Sequence, residues 1–148
     1  MIHRVSNSEL YTPEDLKDHS GVAFVIMDDS CEKVLIQNHI KIGKWTIPAG
    51  KVRPGSSLEE TIVEEAFEEA GLIVKRVTFL KDRMFVYKKN GVIVNTHSHV
   101  FRVLEYDGVP QNKEPHKHSE QLFMEINDIY KLPDLSDVTR LWLGIPDD

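Results

Sequence analysis

GKVRPGSSLEETIVEEAFEEAGL, residues 50–72, is the stretch on which the reading of this chain turns. It opens on glycine, passes through the turn formers Pro54 and Gly55, and then adopts helical spacing over residues 57–70. Ser57 stands as N-cap with Glu60 three residues later as its capping-box partner, and Gly71 is placed to end the helix in a left-handed conformation. Ser56 with Glu59 is the competing box. Within the helix lie six glutamates, at 59, 60, 64, 65, 68 and 69, and no lysine or arginine. At about 100° per residue, Glu65, Glu68 and Glu69 share roughly a third of the circumference. Val63, Ala66, Phe67 and Ala70 form the apolar stripe beside them.

Such a helix works against itself. The pairs 60/64, 64/68 and 65/69 are like charges one turn apart, each costing about 0.2–0.5 kcal/mol. Two explanations fit. A solvated acidic face tolerates the repulsion because salt screens it. Alternatively a cation sits among the acids, since carboxylate oxygens are the preferred ligands of Mg²⁺ and Mn²⁺ and leave coordination positions for phosphate oxygens. The glycine-rich loop directly before the helix favours the cation, because loops on rigid scaffolds are where substrates bind.

Moving outward toward the N-terminus, residues 45–50 read as a short extended piece entering the glycine turn. Residues 21–27 and 33–38 read as two apolar strands joined by a turn at Asp28, Asp29 and Ser30, a hairpin, and residues 1–19 as a polar arm. Toward the C-terminus, residues 74–87 and 92–106 are rich in β-branched and aromatic residues. The intervening Asn90-Gly91 favours a type I′ turn and so a long hairpin. A polar loop over residues 107–119 precedes one more strand, 121–126. Ser136 caps a last helix, 137–143, with Val138, Leu141 and Trp142 at helical spacing.

Bulk properties bound the answer. At 148 residues, 41% hydrophobic and 28% charged, the chain has the size and composition of one globular domain, 1–148, and no internal repeat or linker divides it. The net charge of −6 argues against a nucleic-acid duplex as partner. The longest purely apolar run, 22–27, is far short of the roughly 20 residues that span a bilayer, so no membrane partner is expected. One cysteine, Cys31, cannot form an internal disulfide; a packing role and a cytoplasmic location are expected.

Residues 50–72 resemble the Nudix box, whose pattern is glycine, five residues, glutamate, seven residues, arginine, glutamate, an aliphatic, any residue, two glutamates, any residue, glycine and an aliphatic. Gly50, Glu65, Ala66, Glu68, Glu69, Gly71 and Leu72 fit in register, seven of nine fixed positions. The two departures are Ser56 for the first glutamate and Glu64 for the arginine. Those positions normally form an ion pair, so losing both removes the pair without stranding a charge. The acid at 64 should still raise neighbouring carboxyl pKa values unless metal offsets it.

The resemblance implies an α+β domain, an α/β/α sandwich around a mixed sheet. It also implies metal-assisted hydrolysis of a nucleotide's diphosphate linkage, with Mg²⁺ or Mn²⁺ as cofactor held by Gly50, Glu65, Glu68 and Glu69. Glu68, Glu69 and Glu120 are the catalytic candidates, Glu120 as an acid supplied from outside the box and Glu69 as the competing base; a plain surface acid is the other reading of Glu120. Lys51, Arg53, Tyr87, His97 and His116 are the candidate substrate contacts. Each has a plainer alternative, as surface charge for Lys51 and Arg53 and as core for the strand aromatics Tyr87 and Phe101. Four histidines, at 97, 99, 116 and 118, admit a zinc reading, against which stands the lack of an accompanying cysteine.

The substrate class expected is a nucleoside triphosphate, cleaved to monophosphate and diphosphate. ADP-ribose, a dinucleoside polyphosphate or a nucleotide sugar is the alternative, and a non-catalytic nucleotide-sensing module the reading from another class. A small-molecule nucleotide is thus the expected partner, and a homodimer is left open.

Overall fold

The computed structural model describes residues 2–4, 16–89 and 91–146. Its longest feature is the expected hairpin, β6 (Ile73–Lys89) paired antiparallel with β7 (Val92–Asp107). Lys89 faces Val92 across the turn and Gly91 has φ +79°, a value that glycine adopts without strain. Asn90, which decides the turn type, lies outside the described residues. So do residues 1 and 5–15 of the expected arm; Ile2–Arg4 (β1) pairs with β6, and the chain from Leu16 is already strand.

β2 (Leu16–Val25) runs parallel to β7 and antiparallel to β5 (Ala49–Lys51), giving a five-stranded mixed sheet in the order β1-β6-β7-β2-β5. β3 (Lys33–His39) pairs with β4 (Lys44–Thr46) and β8 (His118–Glu125) in a second, antiparallel sheet. The expected hairpin of residues 21–27 and 33–38 is therefore a corner. Its turn closes, with Asp28 N–H donating to Lys33 C=O at 3.0 Å and a bridge at Met27 and Val34. Beyond it the two strands part into separate sheets. Cys31, expected to pack, is exposed in this turn with φ +57°.

The strict alternation of β2 builds two cores. Val22, Phe24 and Ile26 face α1 (Leu58–Ala70), where Ile62, Ala66 and Ala70 meet Leu35, Phe101 and Val103. Ala23 and Val25 face the other way, toward Ile36, Ile47 and Val100, beneath α2 (Ile126–Tyr130) and α3 (Asp137–Leu143). Helices thus cover both sides, the expected sandwich. Truncating the fully buried Ile62 to alanine would cost about 2–5 kcal/mol. No helix among the described residues is long and apolar enough to cross a membrane.

Candidate functional site

The ends of α1 follow from local chemistry. Ser57 Oγ accepts from Glu60 N–H at 3.0 Å while Glu60 Oε1 accepts from Ser57 N–H at 3.1 Å, a closed capping box, and Gly71 takes φ +70°. Ser56 is not the cap; its N–H donates to Arg53 C=O within the preceding turn. The last turn has no basic side chain, and a loop satisfies its carbonyls instead. Gln111 N–H donates to Ala70 C=O at 3.0 Å, Lys113 N–H to Glu69 C=O at 3.1 Å, and the Gln121 amide also to Glu69 C=O at 3.1 Å.

Which face of α1 turns inward differs from the periodicity reading. Val63 and Phe67 are exposed, 42% and 61%, whereas Ile62, Ala66, Ala70 and Glu69 are buried. The inward stripe is rotated by about one residue, and it carries an acid into the core.

Glu69 is 5% exposed and its Oε2 has no hydrogen-bond partner. Burial pushes its carboxyl up to about 9, and the charges of Glu65 and Glu114 add to the shift. Beside it Glu65 lies directly over the backbone of Gly50, where an added Cβ would come within 2.6 Å of the Glu65 Cδ. Glycine at 50 is what admits the carboxylate. Burial raises the Glu65 pKa too, opposed by the Arg53 guanidinium and reinforced by Glu68 and Glu114.

Arg53 reorganises the outer half of the cluster. Its guanidinium contacts Glu64 at 2.8 Å, Glu65 at 3.2 Å and Glu68 at 2.5 Å. The hydrogen bond to Arg53 holds the Glu68 carboxyl below its ordinary value. Two expectations are corrected here. The box's ion pair is not simply deleted but reversed in sense, with the cation on the loop and the acid on the helix. Glu64, paired with Arg53, is not among the largest causes of the raised carboxyl pKa values.

The loop after β7 supplies what sequence reasoning missed. Glu114 pairs with Lys117 at 3.2 Å, and the charges of both reach Glu65 and Glu69. Glu120 does not face this cluster. His118 contacts Gln37 (3.5 Å), and the Gln121 amide donates to Gln37 Oε1 at 2.8 Å; an irregularity of register where β3 faces residues 118–120 lets both point toward α1. Glu120, next to Gln121, is exposed on the other face of the strand.

The remaining candidates scatter. Lys51 is exposed opposite Gly21 on β5, and His116 is exposed in the loop turn. Tyr87 is not brought to the cluster: its hydroxyl donates to Asp137 Oδ2 at 2.8 Å, on the α3 side of the sheet. Phe101 lies buried on the α1 side, so the two aromatics share no wall. His97 and His99 stand together beside Asp82, while His118 is buried against His39, its pKa lowered to about 4 by desolvation and then by His39. The four histidines therefore form no single ligand set.

Chemically, three carboxylates on successive turns, one buried with an orphaned oxygen and one laid on a glycine, make a donor set suited to a hard divalent ion. The fit rests on Glu69 Oε2, a buried acceptor that no protein donor satisfies.

Comparison with known proteins gives a match to the family profile of the NUDIX domain over residues 17–143. The chain is 36% identical over 61 residues to a Mus musculus protein named 8-oxo-dGDP phosphatase NUDT18, 40% of this chain and 19% of that one. It spans 33% and 19% of the length of the first curated relatives that it matches. Among solved structures, the MutT NUDIX hydrolase from Burkholderia pseudomallei superposes with TM-score 0.74 at 24% identity, covering 88% of this chain and 99% of that one. The NUDIX domain of Shewanella oneidensis NrtR, in complex with ADP ribose, does so with TM-score 0.67 at 18% identity, covering 88% of each.

Proposed function

The chain belongs to the Nudix family, and from that membership we propose that it hydrolyses the diphosphate linkage of a nucleotide, converting a nucleoside triphosphate and water to the monophosphate and diphosphate. The observation that carries this reading is Glu69: a carboxyl buried with one oxygen unpartnered, next to two further acids, is costly to ionise unless a cation offsets its charge.

Glu65, Glu68 and Glu69, with the carbonyl of Gly50, would hold Mg²⁺ or Mn²⁺. Bound there, the ion neutralises phosphate oxygens and lowers the pKa of coordinated water. Glu69 carries a proton in the metal-free protein and would give it up on loading, because the ionised carboxylate would be the ligand. Arg53 keeps Glu68 ionised and, with a cation held by the acids, would be free to meet phosphate. Lys117, whose pKa is raised chiefly by its hydrogen bond to Glu114, brings a second positive charge to the same mouth. Glu114 replaces Glu120 as the acid outside the helix that can collect the proton of the attacking water.

The name of the mouse relative, 8-oxo-dGDP phosphatase, is the reason to test guanine nucleotides oxidised at C8 first, with the unmodified ones as controls. Incubation with Mg²⁺ and separation of products by ion-exchange chromatography should show monophosphate and diphosphate, abolished in Glu68→Gln. A second reading, a module that binds a nucleotide without cleaving it, is favoured by one feature: Arg53 already bridges Glu64, Glu65 and Glu68. Tight nucleotide binding with no product under Mg²⁺ or Mn²⁺ would decide for it, and ADP-ribose belongs in that panel because the NrtR domain was captured with it.

A further inference from the structure

His97 and His99 alternate on β7 and so project from one face, the face that Phe101 and Val103 turn toward α1. Asp82 on β6 stands opposite His99 in the ladder. The two imidazoles stack with centroids 4.0 Å apart and planes inclined by 34°. His97 Nε2 meets Asp82 Oδ2 at 2.5 Å. One ligand atom from each of the three residues lies within 4.8 Å of the others.

A simple cross-strand ion pair needs one histidine and accounts for His97 with Asp82. It does not account for His99, whose Nδ1 lies 3.1 Å from Gly21 C=O. A carbonyl can only accept, so Nδ1 carries the hydrogen and Nε2 keeps its lone pair. Backbone bonding of one ring nitrogen that fixes the other as a donor of electrons is how metal-ligating histidines are oriented.

From this arrangement we infer that Asp82, His97 and His99 form a binding site for a borderline transition-metal ion of the zinc type, distinct from the glutamate cluster. Two neutral imidazoles and one carboxylate select such an ion over Mg²⁺, which prefers oxygen. Ligands about 2.0–2.1 Å from a tetrahedral ion are roughly 3.3 Å apart. With the ligand atoms already within 4.8 Å of one another, closing asks for a modest rotation of side chains, and Asp82 is exposed and able to make it. The backbone under all three is a paired ladder, so the frame is rigid. The site opens to solvent and leaves coordination positions for water or a ligand.

Its place on the sheet sets it apart from the acids without isolating it. His99 faces Val22 on β2, and Val22 faces Gly50 on β5, so two strand spacings, roughly 10 Å, separate His99 from the glycine under Glu65. An ion there stands on the same face as the acids.

The test is calorimetric titration of the full chain with Zn²⁺ in excess Mg²⁺, on a Cys31→Ser background that removes the thiol as a competing ligand. One equivalent should bind, weakened at least tenfold by His99→Ala and by Asp82→Asn and unaffected by Glu68→Gln. Both variants alter partly or fully exposed side chains, and circular dichroism establishes that they are folded. Absence of Zn²⁺ uptake under excess Mg²⁺ would overturn the assignment. So would uptake that survives both variants, or that is lost in Glu68→Gln while His99→Ala retains it.

Discussion

Two buried polar clusters lie on opposite sides of the sheets, and they are built to opposite rules. Under α3, Thr46, Ser136 and Thr139 form a one-way chain. Thr46 Oγ1 donates to Ile47 C=O at 2.7 Å, and Ser136 Oγ donates to Thr46 Oγ1 at 2.8 Å. With the serine proton spent, Thr139 Oγ1 is the donor of the 2.7 Å bond to Ser136, and it accepts from Ile47 N–H at 2.9 Å. Every hydroxyl gives once and receives. Under α1, Glu69 Oε2 and the Nδ1 atoms of His39 and His118 have no partner. Both helices start on a serine cap and end on a left-handed glycine, so the difference lies in what they carry inward. The completed network fixes structure; the incomplete one coincides with the proposed cation site.

The sharpest way to break this contrast is to remove an acid. Glu69→Gln or Glu68→Gln should lower kcat/KM by about 100-fold or more, as expected when a metal ligand is lost. Mg²⁺-dependent stabilisation in thermal melts should vanish with it. Wild-type rates in Glu69→Gln would mean that the orphaned oxygen is incidental.

The pH dependence comes next. Glu69 has a folded pKa of about 9 against about 4.5 in the unfolded chain, so between these values the folded state holds the extra proton. Stability of the metal-free protein therefore falls as pH rises through that window, on the order of 1 kcal/mol per unit at most. Glu69→Gln should flatten the slope and melt higher than wild type near pH 8. Adding Mg²⁺ should release protons and stabilise most at the alkaline end. Denaturant melts across pH, with and without chelator, provide the measurement.

On the other side of the sheets, Thr139→Val keeps shape but strands Ile47 N–H, which should cost about 1–3 kcal/mol in denaturant melts and leave metal affinity unchanged. The smallest effect belongs to Arg53. Removing its competition for Glu65 and Glu68 in Arg53→Ala should tighten Mn²⁺ binding without nucleotide by about two- to fivefold, read by paramagnetic resonance. Weaker binding would mean that the guanidinium helps the cation rather than standing in for it.

Local signals made much of this legible. The caps of α1 and α3 and the β6–β7 hairpin are written in residues a few positions apart. What escaped reading is long-range or depends on parity. Nothing near residue 30 says that β2 and β3 enter different sheets, since that is decided by β7 and β8 arriving later in the chain. Irregular register near His39 and His118 turns Glu120 away while Gln121 points inward, and shifts within residues 74–81 break the alternation of β6. The acids were visible as a group, but a side chain's burial belongs to what packs on it, so the depth of Glu69 was not. Arg53 and Glu114 meet the cluster across turns whose geometry no spacing encodes.

The loop over residues 109–117 is moored to α1 by main-chain amides, Gln111 N–H on Ala70 and Lys113 N–H on Glu69. Because peptide groups make the attachment, almost any side chains there leave the anchorage intact. Proline, which has no amide hydrogen, is the substitution barred at 111 and 113. Lineages or engineers could thus rewrite this rim to suit a different ligand while α1 beneath keeps its footing.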